Sequence, residues 1–429
     1  MAATKRNLGA AISIPPMTPL EPPFRLPESW YRQNMARLQA TLAENSLDGI
    51  ILEDVWNIIY FTGLFHSKTE RPFWLFVPAV GEPVIYHPAL DRDLVDTWWV
   101  QDAEWYFDYP HHGAYDAFVC EPGPAQDLLQ WMLGSLGKRG FGKATLGIES
   151  EVGPSVAARM RAALPQANFE VVGDLCLKMR QIKDADELAL TQKALDLQDH
   201  MLEYARAFIL KYGTSVTDYD VQAETKRYIT DLLMGWLQPD GRPHNAVGID
   251  IFLVCRAGAS TAYPHPNQFY YHRIEHGDAI QLAGWVHLGG YVGECYRAVQ
   301  LAPMNDLQRK TWQVHTEMTE LQAELCRAGM ACNEIASQVL RLPRDAGLKD
   351  FVYHRPAHGI GMEGHQAPCL ALGDETVLQE GMLFSNEPGL YNPRGGWGYN
   401  HSNTVLVGQE RGIVLTNTPL TKEWCWLTL

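Results

Sequence analysis

The stretch "HGIGMEGHQAP" sets His358 and His365 seven positions apart among glycines. Glycines beside imidazoles let backbone and ligand come close to the ring nitrogens, and histidine changes charge near neutral pH. Hydrogen bonding of both rings inside a packed sheet is the competing reading of this stretch taken alone. Further along, "LQEGMLFSNEPGLY" ends an apolar strand on Glu387, just before a proline. A carboxylate at the end of a buried strand is costly unless it meets a cation, a metal or several donors. Upstream, "CRAGASTAYPHPN" carries His265 in a Gly/Pro-rich loop, a setting that displays a side chain instead of packing it.

The elements that must position these residues are legible in outline. "WYRQNMARLQATLAENSLDGIILED" places Met35, Leu38, Leu42 and Leu47 near one helical face and turns through Asp48 and Gly49 into a short strand. "FWLFVPAVGEPVIYH" reads as two strands joined by a Gly/Pro turn, and "KATLGIES" and "NFEVVGD" add strands separated by the helical "SVAARMRAAL". This predicts an α/β first domain over residues 26–180, after an extended, proline-rich arm at 1–25. At "LKMRQIKDADELALTQKAL" a strand-like end passes into a long helix, with Asp184 as N-cap and Glu187 in the capping-box position. Residues 181–429 then mix long helices (about 184–212, 217–234 and 306–328) with strands near 251–255, 279–285, 382–387 and 403–407. That irregular order predicts α+β architecture. The aromatic-rich "WVHLGGY" and "WGYN" read as core, Trp285 and Tyr291 included.

Composition narrows the function classes. A chain of 429 residues predicts two domains. Thirty-five Lys and Arg against 50 Asp and Glu give a formal charge of −15, which repels polyphosphate backbones and argues against nucleic acid as a partner. Eight cysteines without any Cys-x-x-Cys predict reduced thiols in a cytoplasmic protein. The N-terminal segment lacks a signal-peptide pattern, and no apolar run reaches the roughly 20 residues that cross a bilayer.

Taken together, "NIIYFTGL" (57–64), "LKMRQIKDADELALTQKAL" (177–195), "YPHPN" (263–267), "HGDAIQL…GGYVGECYR" (276–297), "AHGIGMEGHQAP" (357–368) and "LQEGMLFSNEP" (378–388) resemble the pita-bread superfamily, M24. Its members include aminopeptidase P, prolidase, methionine aminopeptidase and creatinase. The resemblance covers the whole chain and implies a C-terminal pita-bread domain behind a smaller creatinase-type N-terminal domain. Its metal-dependent members hold two divalent cations with two aspartates, one histidine and two glutamates. Here Ala283 stands at the first aspartate, Glu294 at the second, His358 and Glu387 at the next two ligands, and Ser402 at the last, with His401 adjacent.

With two ligand positions lost, the resemblance points to the metal-independent creatinase branch and no cofactor. It implies a cytoplasmic, homodimeric C–N hydrolase acting on a small amidine, guanidine or amide that bears a carboxylate. His265 falls on creatinase's general acid/base, and Glu294 and Glu387 would hold the cationic end of the substrate. His358 and His365 would polarise the scissile group, with Tyr296 and His401 contributing to substrate binding. Arg71, in "FHSKTERPFWLFV", falls on an arginine that reaches into the partner subunit to bind the substrate carboxylate; Cys369 replaces a second such arginine. One alternative is an Xaa-Pro dipeptidase-like hydrolase or lyase with a single ion on Glu294, His358, Glu387 and His401. A non-catalytic binding module is the other.

Overall fold

The computed structural model describes residues 12–107, 127–237, 247–265 and 271–429. They divide into two compact units, Leu26–Arg180 and Gln181–Leu429, and the described residues up to Arg25 belong to the second. In the first unit a six-stranded sheet runs in the order Ala103–Tyr106, Val84–Pro88, Trp74–Pro78, Gly49–Leu52, Thr145–Ile148, Asn168–Val171. Its central strands are buried along their whole length, so they read as continuous apolar runs. The segment "LKMRQ", expected to be strand-like, belongs instead to the helix Asp174–Gln181. Cys176 and Arg180 are its buried residues, four apart, so helical spacing brings them to one face.

The second unit begins with the helix Ala185–Tyr212, which the sequence marks cleanly. The Asp184 carboxylate accepts the backbone N–H of Glu187, while the Glu187 carboxylate accepts that of Asp184. This helix packs on a four-stranded sheet in the order Trp426–Leu427, Tyr291–Leu301, Ala279–Leu288, Asp250–Ala257. The approach is close because Gly293 faces it: a Cβ there would lie 2.5 Å from the Leu195 nitrogen. Residues 12–25 form no helix, and Ile12, Ile14, Met17 and Leu20 pack against the same core, so the described part of the proline-rich arm is pinned down.

A five-stranded sheet, Gln366–Leu370, Ala357–Gly359, Leu383–Asn386, Asn403–Leu406, Ile413–Val414, forms the other half of this unit. The helices Asp306–Leu325 and Cys332–Asp345 cover it. The two sheets meet where Tyr296 and Ser402 exchange backbone hydrogen bonds of 3.2 and 3.1 Å. Arg297, 1% exposed, fastens that junction by donating to the carbonyls of Tyr296, Ser402, Thr418 and Pro419 and to Asn403 Oδ1. Among the described residues no helix is long and apolar enough to cross a membrane.

Candidate active site

Glu294, His358 and Glu387 come from three different strands or strand ends and bring their donor atoms within 4.8 Å of one another. Glu294 is 1% exposed. Its carboxylate accepts hydrogen bonds from Ser385 Oγ, from Ser402 Oγ at 3.5 Å and from Tyr296, while Thr404 Oγ1 donates to its backbone carbonyl. Burial, opposed by His358 and reinforced by Glu387, pushes the Glu294 carboxyl up. Burial also favours the neutral form of Glu387, but His358, His354 and His365 outweigh it and hold Glu387 below its usual range.

His358 lies against Ser385 in the sheet register, on the strand Ala357–Gly359. Its Nδ1 lies 3.2 Å from the Gly359 carbonyl and can only donate there, so the neutral ring carries its lone pair on Nε2. That Nε2 is buried, 3.3 Å from Glu387 Oε1, and makes no well-formed hydrogen bond. A lone pair facing carboxylates is repulsive unless a cation lies between them, and the site meets this in part by favouring the protonated ring. Burial opposes that charge, but Glu387 and Glu294 more than offset it and raise the His358 pKa. His365 stacks on His358 with centroids 3.7 Å apart. Burial first, then His358, lowers its pKa.

Glu387 opens onto a cavity of about 710 Å³. Ala283, Tyr296, His265 and His365 also line it, so of the eight residues expected in the site, four open onto this cavity and Glu294 and His358 lie beside it. Burial and the two glutamates push the Tyr296 hydroxyl well above the usual tyrosine range, which keeps it a donor. His265 is exposed at the cavity's edge.

His401 is a correction. Ser402 and Thr404 reach Glu294, and the alternation of an extended chain turns His401 to the opposite side. There its Nδ1 accepts the Ala298 N–H at 3.1 Å and its ring stacks on His315 at 4.5 Å, so it belongs neither to the cluster nor to the cavity. Trp285, expected in the core, instead stacks on Phe252 along the cavity wall. Tyr291 is core, 1% exposed, with its hydroxyl donating to Glu187 at 2.9 Å. Arg71 lies in the Leu26–Arg180 unit and pairs with Glu70 at 2.7 Å.

Sequence reasoning missed Arg256, His354 and Tyr391, which also line the cavity. A signal for Arg256 was available: in "DIFLVCRA" the period-2 pattern puts Phe252, Val254 and Arg256 on one face. His354 and Tyr391 hydrogen-bond to each other at 3.0 Å across 37 residues, which no local pattern announces.

With this geometry in hand, residues 189–409 match the family model described as metallopeptidase family M24. The chain belongs to that family. Residues 35–182 match the creatinase/prolidase N-terminal domain. Among curated relatives, the Xaa-Pro dipeptidase of Lactobacillus delbrueckii subsp. lactis is 27% identical, covering 84% of this chain and 90% of its own. The Xaa-Pro dipeptidase of Pyrococcus furiosus is 26% identical, covering 90% and 98%. Among solved structures, a prolidase from Thermococcus sibiricus superposes with a TM-score of 0.74 at 19% identity, over 93% of this chain and 99% of that one. Dipeptidase PepE from Mycobacterium ulcerans gives 0.74 at 20%, over 94% and 100%.

These findings correct two expectations. The relatives are Xaa-Pro dipeptidases of a metallopeptidase family, so neither the metal-independent creatinase branch nor the absence of a cofactor holds. The residues present also fit a metal ion. A buried imidazole lone pair and two carboxylates make a mixed N/O donor set of the kind that suits zinc, iron or nickel. Ala283 has no donor and Ser402 only a neutral hydroxyl, already 2.8 Å from Ser385 Oγ, so the donor set suits one ion and lacks the carboxylates for a pair.

Proposed function

We propose that this M24 hydrolase cleaves the C–N bond of short, peptide-like substrates with the help of one divalent ion, Xaa-Pro dipeptides being the class to test first. The observation that carries the reading is the convergence of Glu294, His358 and Glu387 within 4.8 Å beside an open cavity. The ion these three residues would hold supplies Lewis acidity, polarising the scissile carbonyl and acidifying water.

The chain's own residues do the rest. Glu387 and Glu294 would balance the charge of that ion, and the hydrogen bonds from Ser385, Ser402 and Tyr296 keep Glu294 oriented. Tyr296 and His365 offer polar groups to the substrate backbone, and the stacked Phe252 and Trp285 form a flat apolar wall for a ring or aliphatic side chain. As the oxygen of water adds to the carbonyl carbon, His265 at the cavity's edge takes the proton that the water gives up, and it returns that proton to the departing nitrogen as the C–N bond breaks. A homodimer is part of the proposal, carried by the whole-chain resemblance.

The test is metal content by plasma mass spectrometry followed by hydrolysis of a panel of Xaa-Pro dipeptides, before and after chelation. About one ion per chain and activity that disappears with chelator and returns with added metal is the expected result. Undiminished hydrolysis in the chelated protein, or no hydrolysis with zinc, manganese, cobalt, iron or nickel, would sink the reading.

A further inference from the structure

We infer that Arg256 is an anion subsite of this cavity that receives the free carboxylate of the substrate from within the same chain. The inference rests on the hydrolase reading above and deepens it, because it names the end group the substrate must carry.

The strand Asp250–Ala257 alternates: Ile251, Leu253, Cys255 and Ala257 are buried in the core, and Phe252, Val254 and Arg256 face the cavity half-buried. Phe252 and Val254 are apolar, so Arg256 is the charged residue this strand places on the cavity lining. The register sets Val254 against Ala283 and Ala283 against Tyr296, which puts Arg256 on a ladder row two residues along the strand from that pair. A guanidinium on the inner face of a sheet loses hydration and needs compensation.

The compensation in the structure is incomplete. Arg256 Nη1 donates to the carbonyls of Tyr263 and Pro264, both at 3.1 Å. Nε is buried without a hydrogen-bond partner, and among the described residues no carboxylate lies within ion-pair distance. Occupation of Nη1 and burial of Nε leave Nη2 to meet a carboxylate oxygen in a charge-assisted hydrogen bond. Burial lowers the Arg256 pKa, and a bound anion would offset that cost. The two carbonyls that Nη1 grips belong to the residues immediately before His265. A substrate anchored on Arg256 is thereby tied to the loop that displays the proton donor.

The resemblance to creatinase gives the carboxylate to Arg71 from a second copy, and Arg355 is a third guanidinium, exposed at the cavity. A thermodynamic cycle separates the three. Hydrolysis of Ala-Pro and of its C-terminal amide is measured for the metal-loaded wild type and for Arg256→Ala, Arg256→Lys, Arg71→Ala and Arg355→Ala. Wild type is expected to favour the acid, and Arg256→Ala to lose about 10- to 100-fold more in kcat/KM on the acid than on the amide, the size of a lost charge-assisted contact. Arg256→Lys should recover part of the loss, and thermal unfolding of each variant checks that it folds.

Equal losses on both substrates in Arg256→Ala and Arg256→Lys would reduce Arg256 to a fastener of the 263–265 loop and overturn the subsite. So would an acid preference that survives in Arg256→Ala and vanishes in Arg71→Ala or Arg355→Ala. If neither compound is hydrolysed, the same cycle is read by calorimetric binding of both. An acid preference lost in Arg256→Ala then keeps the subsite while the dipeptidase reading fails, and equal or absent binding to the wild type rejects the subsite too.

Discussion

At the scale of single residues, the site consists of Glu294, His358 and Glu387, the trio proposed to hold an ion, and the groups that keep it in order. His265 carries the clearest kinetic prediction: replacing it with alanine should lower kcat by about 10² to 10⁴, the usual contribution of a positioned acid or base, with metal content unchanged. Metal analysis beside steady-state kinetics checks both halves, and near-normal turnover would remove its role. Ser385 predicts the complementary effect. Its hydroxyl donates to Glu294, and Ser385→Ala should weaken metal binding by about 10- to 100-fold, read by competition with a chromophoric chelator. His358 and Glu387 stood out in the sequence because their motifs are compact and glycine-marked, and Glu294 was named through the family resemblance. His401 was misjudged because adjacent residues of an extended chain face opposite ways, and only the contacts of Ser402 and Thr404 with Glu294 settle which parity faces the site.

At the scale of elements, two packings decide whether the trio is presented at all. Gly293 lets the helix Ala185–Tyr212 lie against the strand that carries Glu294, and a Cβ would stand 2.5 Å from backbone that cannot move aside. Gly293→Ala should therefore cost about 1 to 3 kcal/mol, measured by chemical denaturation. The second packing is the buried pair His315 and His401. The His401 N–H donates to His315 Nε2 at 2.8 Å. Burial drives the His315 pKa down to about 3 and that of His401 well below its ordinary value. Both folded values lie beneath the unfolded value of about 6.5, so their contribution is fully present above that pH. It is lost as the pH falls from there toward the folded values, at about 1.4 kcal/mol per pH unit for each ring. Denaturation at pH 7, 6 and 5 should show this decline, and His401→Gln should flatten it; an unchanged slope in that variant would exclude His401 as its source. The start of the helix Ala185–Tyr212 was well marked in the sequence by its capping box, whereas "LKMRQ" was misread because so short a segment carries too few residues to separate the two periods.

At the scale of the whole molecule, both units match their own family models, residues 35–182 and 189–409. The proposed homodimer predicts about twice the chain mass of 48.3 kDa in light scattering. Arg71→Ala tests whether a second copy contributes chemistry: full activity in a dimeric variant would confine the site to one chain, as the Arg256 proposal expects, and a monomeric wild type would end the in-trans idea.

Local patterns in the chain were enough for an α/β first unit and an α+β second one, for the long helices and for His358 and Glu387 as candidates, because helix caps, strand alternation and glycine-marked motifs act over a few residues, while Glu294 was named through the family resemblance. Which of those residues share a site was decided by the tertiary structure. The exchange of hydrogen bonds between Tyr296 and Ser402, 106 positions apart, sets the parity that brings Ser402 in and turns His401 out. The same is true of the cavity. Trp285, His354 and Tyr391 line it because separate strands and loops converge there, and convergence of that kind leaves no period or spacing in a linear chain.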